Sequence, residues 1–135
     1  EEEILHRYKN NIQTPDLHEV VPVFSAEEIR KVQQIVEKVI VEDNLLKYIA
    51  AITHKTRNHG KVYLGGSPRA SLSMLKASKA VAAIRGRDFV TPEDIQFVTT
   101  HVLNHRLILT PEAEMEGITP EEVIADILKT IEVPR

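Results

Sequence analysis

Gly65-Gly66-Ser67-Pro68-Arg69 brings together residue types that can hold an anion. Paired glycines let the backbone approach a ligand closely. Ser-Pro opens a helix whose first N–H groups have no intrahelical partner. An arginine one position later can lay a planar, permanently charged fork on a phosphate. What singles out this helix start is its sign. The chain writes a hydroxyl residue before proline five times, and Thr14-Pro15-Asp16, Thr91-Pro92-Glu93, Thr110-Pro111-Glu112 and Thr119-Pro120-Glu121 each continue with an acid. The acid answers the positive end of the helix dipole. Ser67-Pro68 continues with Arg69, which adds positive charge to an end that is already positive. A local rule broken without compensation marks a functional candidate, here an anion site over Gly65, Gly66, Ser67, Pro68 and Arg69. The plainer alternative is a glycine turn before a capped helix, with the arginine in water.

Other chemistries find less support. Gly60-Lys61 is followed by Val62 and has no glycine loop before it, so no phosphate-cradling P-loop is present. Val39-Ile40-Val41-Glu42-Asp43 resembles an apolar strand ending in metal-binding acids, but it lies between helical patterns and reads as a helix-to-helix junction. His101 and His105 stand at a spacing that suits two metal ligands, yet no glutamate follows His101 and no third ligand is evident. A capping or surface role fits them better, and no metal site is expected. His54 and His59 are weaker still, and no Ser/His/Asp constellation can be assembled. Arg85, Arg87, Lys76 and Lys79 form a modest basic cluster, which keeps nucleic-acid binding as a rival.

The elements that must position these residues are helical. A short helix over about residues 2–10 leads into a connector marked by Asn10-Asn11 and Thr14-Pro15, and Val20–Phe24 reads as extended around Pro22. Ser25-Ala26-Glu27-Glu28 is a capping box, after which Ile29, Val32, Val36 and Val39 follow one stripe. A second helix is expected from about Asp43 to His59, with Leu45, Ile49, Ile52 and Thr56 on its inner side and Gly60 as its stop. Val62-Tyr63-Leu64 is a short extended piece. The longest helix runs from Pro68 to about Arg85, with Met74, Ala77, Val81 and Ile84 as its expected stripe and Gly86 as its stop. Thr91-Pro92-Glu93-Asp94 starts a helix carrying Ile95, Val98 and Val102. Leu107-Ile108-Leu109 is extended, Pro111–Glu116 is a helical turn, and a last helix spans Pro120 to about Ile131. The expected fold is mainly α, a helical bundle with at most a few short strands.

At 135 residues, 42% hydrophobic and 27% charged, the chain is long enough for one compact core. It has no cysteine, which excludes disulfides and thiolate metal sites. A net charge of −3 argues against a broad nucleic-acid surface. No apolar run is long enough to span a membrane and no signal peptide is evident, so a cytoplasmic location is expected. Glu1-Glu2-Glu3-Ile4-Leu5 reads as the opening of a helix, as though the chain were cut from something longer.

Several motifs, in order, resemble one family. Pro22-Val23-Phe24-Ser25-Ala26-Glu27-Glu28, Thr56-Arg57, Leu64-Gly65-Gly66-Ser67-Pro68-Arg69-Ala70-Ser71-Leu72, Gly86-Arg87-Asp88-Phe89-Val90-Thr91-Pro92-Glu93-Asp94 and Val102-Leu103-Asn104-His105-Arg106-Leu107 are similar to the C-terminal part of MoxR-type AAA+ ATPases. The likeness runs over nearly the whole chain. Gly66 is a departure, since the family more often has alanine there. The resemblance implies that residues 1–18 are a helix and connector from the end of an ATPase core and that 19–135 form its helical lid. Within the lid, 26–59 would be the helices before sensor 2, and 67–135 the sensor-2 helix and those after it. Arg69 matches the sensor-2 arginine, which touches the γ-phosphate of ATP and assists its cleavage, with Gly65, Gly66, Ser67 and Pro68 beside it.

The same resemblance implies an inert isolated chain, with no tightly bound cofactor, because the P-loop, the Mg2+-binding acids and the arginine finger lie upstream in such proteins. The parent would be a hexameric, ATP- and Mg2+-dependent chaperone that remodels or matures protein complexes. Its partners would be its own core, neighbouring subunits, client complexes and a von Willebrand factor A-domain protein. The rival from another class is a histone-fold-like helical module for DNA binding or scaffolding, suggested by the long helix, the Arg87–Val90 connector and the following helix start.

Overall fold

The structure, a computed structural model, describes residues 1–9 and 20–134, apart from the side chain of Arg7. The connector expected around Asn10-Asn11 and Thr14-Pro15 lies outside the described residues. Two compact units are present, Glu1–Val32 and Gln33–Arg135. The first carries α1 (Glu2–Tyr8) and the start of α2 (Ala26–Lys38). Val20–Phe24 is irregular and not part of a strand. The α2 capping box forms as its residues dictate: the Ser25 N–H donates to Glu28 Oε2 at 2.7 Å and the Glu28 N–H donates to Ser25 Oγ at 3.2 Å. None of the α2 residues is buried, and only Val39, just past the helix end, reaches the core.

The second unit holds α3 (Asp43–Arg57), β1 (Val62–Leu64), α4 (Pro68–Ile84), α5 (Pro92–Leu103), a 3-10 turn (Asn104–Arg106), β2 (Ile108–Leu109), α6 (Pro111–Met115) and α7 (Pro120–Thr130). The mainly helical expectation holds. α4 packs on α5 and α3, and α7 closes over α5 and α3. Ile49, Ile52, Met74, Ile95, Leu103, Ile124 and Ile127 form the centre of the core. β1 and β2 pair antiparallel, with Val62 opposite Leu109 and Leu64 opposite Ile108. Residues 39–43 are indeed a junction. Ile40 makes a parallel bridge to Phe89, giving its N–H to Asp88 O and accepting from the Val90 N–H.

The stripe expected on α3 is buried in full at Leu45, Ile49, Ile52 and Thr56. That on α4 is turned. Its buried seam is Ala70, Met74, Ser78 and Ala82, whereas Ala77 and Val81 are half-buried and Ile84 is 85% exposed. Met74 is buried as expected, but around it close helix approach selects the small Ala70, Ser78 and Ala82 over Val81 and Ile84. Ser78 can sit in that seam because its hydroxyl donates to Met74 O at 2.8 Å.

The two helix stops also differ. α4 ends as expected, with Gly86 at φ 73° and the Arg87 N–H returning to Ala82 O at 2.9 Å. α3 instead ends at Asn58, whose φ is −117°, and Gly60 is not left-handed. The Asn58 side chain donates to His54 O at 3.0 Å, satisfying an end carbonyl that a glycine cap would otherwise serve.

Candidate functional site

The last turn of α3 and the segment before α4 are held together by polar contacts. Thr56 is fully buried, and its hydroxyl donates to Thr53 O at 2.6 Å while accepting the Gly66 N–H at 2.8 Å. The Arg57 Nε–H donates to Gly66 O at 2.7 Å. Both backbone groups of Gly66 are therefore fixed from adjacent residues of one helix. Farther along α4, the Ser71 hydroxyl donates to Thr53 Oγ1 at 2.9 Å, and Thr53 donates in turn to Ile49 O at 3.1 Å. Gly65 must be glycine for reasons of space: a Cβ there would lie 2.7–2.8 Å from the Arg57 N and Cα and the Thr56 carbonyl carbon, all backbone atoms.

This clamp presents the start of α4. Pro68 occupies the first turn and the Ser67 backbone is extended, as a cap requires, yet the Ser67 hydroxyl makes no capping hydrogen bond. At α6 and α7 the corresponding hydroxyls do cap, Thr110 accepting from the Ala113 N–H and Thr119 from the Glu122 N–H, each at 3.3 Å. The first turn of α4 contains no acid. Arg69 is exposed, and among the described residues nothing pairs with its guanidinium. The sequence candidates thus lie together: Gly66 is buried, Gly65 is half-covered, and Ser67, Pro68 and Arg69 face outward.

A second guanidinium approaches the same turn of α4. The Ser73 hydroxyl donates to Arg69 O at 2.9 Å, and Arg106 Nη2 donates to Ser73 Oγ over a long 3.5 Å. Arg106 Nε is buried and has no hydrogen-bond partner among the described residues. Nothing in the spacing of the sequence assigns Arg106, Thr56 or Arg57 to the site. The Thr56-Arg57 and His105-Arg106 pairs carry a signal only as parts of the family resemblance.

Arg85, Arg87 and Lys79 have structural employment. Arg85 and Arg87 both engage Asp94, and the Lys79 ammonium donates to Glu37 O at 2.7 Å. His101 stacks edge-on against Phe97, with ring centroids 5.3 Å apart, and His105 is exposed in the 3-10 turn. Among the described residues no group of His, Asp or Glu could hold a metal ion, and no helix is long and apolar enough to cross a membrane.

Comparison with known proteins identifies the fold. Residues 54–127, which run from the last turn of α3 through most of α7, match the AAA lid domain family. The protein YeaC of Bacillus subtilis is 41% identical over 113 residues, which cover 84% of this chain and 35% of that protein. The chaperone MoxR1 of Mycobacterium tuberculosis is 33% identical over 137 residues, covering 95% and 36% respectively. Among solved structures, a provisionally named ATPase from Cytophaga hutchinsonii superposes with a TM-score of 0.80 at 30% identity, covering 98% of this chain and 42% of that one. The chain spans about a third of the length of the curated relatives it matches. It belongs to the AAA lid domain family, in the form carried by MoxR-type ATPases.

Proposed function

We propose that this chain is the sensor-2 lid of a MoxR-type ATPase and that Arg69 reads the γ-phosphate of ATP. The observation that carries the proposal is the start of α4, where the cap hydroxyl is unused, no acid is present and the arginine has no partner among the described residues. All three features fit a terminal phosphate. The positive helix end favours the anion, and the guanidinium offers paired donors to its oxygens.

ATP supplies the cleavable phosphoanhydride. Arg69 steadies the charge that grows on the γ-phosphoryl oxygens, and the clamp on Gly66 keeps the helix start in place while it does so. Mg2+ and the attacking water belong to residues outside this chain. When the γ-phosphate leaves, Arg69 loses its counter-charge and the lid is released, so each turnover is converted into movement between subunits of a ring. In this proposal the movement drives chaperone-like remodelling of protein complexes. Whether the phosphate belongs to the subunit's own nucleotide or to its neighbour's, the demand on Arg69 is the same.

The test is Arg69→Ala in the full-length ATPase. Turnover should fall about tenfold or more, with helix content and assembly unchanged. Unchanged turnover in a normally assembled protein overturns the proposal.

A further inference from the structure

We infer that Thr56 and Arg57 are positioning residues for Arg69, forming a latch that fixes the Gly65–Gly66 backbone and thereby aims the sensor helix. The inference rests on the proposed role of Arg69 and extends it to residues that touch no substrate.

The geometry is specific. Gly66 lies three positions before Arg69, and both of its backbone hydrogen-bonding groups are taken by α3: its N–H by Thr56 Oγ1 at 2.8 Å and its carbonyl by Arg57 Nε at 2.7 Å. Thr56 is itself oriented by donating to Thr53 O at 2.6 Å, so its lone pair faces the glycine amide. The segment cannot lean closer to α3, because Gly65 already sits where a Cβ would strike the Thr56–Arg57 backbone. It cannot lean away without stranding a buried N–H. One helix end thus determines where another begins.

The Arg57 side chain is exposed, so this hydrogen bond is not part of the hydrophobic core. Its removal should loosen the segment without unfolding the bundle. A displacement of about an ångström at a positioned group costs far more in rate than in stability.

The experiment measures ATP turnover by the full-length protein carrying Arg57→Ala, Thr56→Val or Thr56→Ser, each alone and combined with Arg69→Ala. Thr56→Val keeps the side-chain shape and removes the acceptor, whereas Thr56→Ser keeps the hydroxyl. Arg57→Ala and Thr56→Val should lower kcat about fivefold in the parent background and cause almost no further loss once Arg69 is gone. Thr56→Ser should retain most of the turnover.

A merely structural role predicts the same proportional loss in both backgrounds, and that result overturns the inference. So does full turnover in Arg57→Ala and Thr56→Val when Arg69→Ala is impaired. If Arg69→Ala itself is silent, the sensor role fails and the latch fails with it. The two failures are distinguishable by which variant keeps its activity. Should Thr56→Val not fold, the exposed Arg57→Ala carries the test alone.

Discussion

The carboxylate of Asp94, with no exposed side-chain surface, receives both Nη groups of Arg87, at 2.6 and 2.7 Å. Arg85 adds a third contact at 2.9 Å from the end of α4, and the Thr91 N–H donates to Asp94 Oδ2 at 3.0 Å. One acid therefore ties together the C-terminus of α4, the connector and the first turn of α5. Arg85 also lies over the Phe97 ring and Arg87 over the Phe89 ring, so each guanidinium is used on a face as well as an edge. The two arginines of what reads in isolation as a basic patch are the fastening of the α4–α5 corner.

Asp94→Asn should weaken that corner. Breaking a fully buried pair costs about 3–5 kcal/mol. Arg87 keeps 25% of its side chain in water, so a loss of about 2–3 kcal/mol is expected in urea unfolding. The pH dependence has a definite sign. Burial pushes the Asp94 carboxyl up, but the Arg87 guanidinium and the Thr91 N–H and hydroxyl more than reverse this and hold it below the ordinary carboxylate value. A group depressed in the folded state contributes its full stability above its unfolded pKa, about 3.9, and loses it as pH falls through the lower folded value. Acid unfolding of the parent should therefore steepen below about pH 4, and Asp94→Asn should lose that part of the slope.

Helix caps should respond unequally to alanine. Thr119 is half of a reciprocal box, its hydroxyl accepting the Glu122 N–H while its own N–H donates to Glu122 Oε2 at 2.8 Å. Thr119→Ala should cost about 1 kcal/mol. Ser67 makes no such bond, so Ser67→Ala should change the stability measured in thermal unfolding little, by about a few tenths of a kcal/mol at most. Equal losses at the two positions would mean that Ser67 caps α4 after all.

Adjacent glycines should differ in the same way. Gly65→Ala meets backbone atoms that cannot move aside and should destabilise by about 1–3 kcal/mol. At Gly66 a methyl group would meet the Leu103 Cδ2 at 3.2 Å and the Thr53 Cγ2 at 3.3 Å, side-chain ends that can yield. Gly66→Ala should stay within about 1 kcal/mol of the parent, because the smaller entropy of the unfolded chain offsets the tight fit. Chemical denaturation of the two variants side by side separates them.

Much of the fold is legible because its signals are local. Thr110-Pro111 and Thr119-Pro120 place helix starts, Gly86 places a stop, and the α3 periodicity identifies a face that is buried in full. The face of α4 is legible only at Met74, since the rest of its seam is made of small residues and includes Ser78. The anomaly at Arg69 can be seen within three consecutive residues. The latch cannot, because Thr56 and Arg57 meet Gly66 only after the chain has turned back across β1. Asp94 illustrates the same limit: in sequence it is an ordinary helix-start acid, and only the folded corner brings two arginines to it.

The central claim is that Arg69 is placed for a terminal phosphate. Its most direct test is the structure of the full-length protein bound to a non-hydrolysable ATP analogue. There the Arg69 guanidinium should lie within hydrogen-bonding distance, about 2.7–2.9 Å, of a γ-phosphate oxygen. A nucleotide-loaded structure in which every Arg69 points into solvent would contradict it.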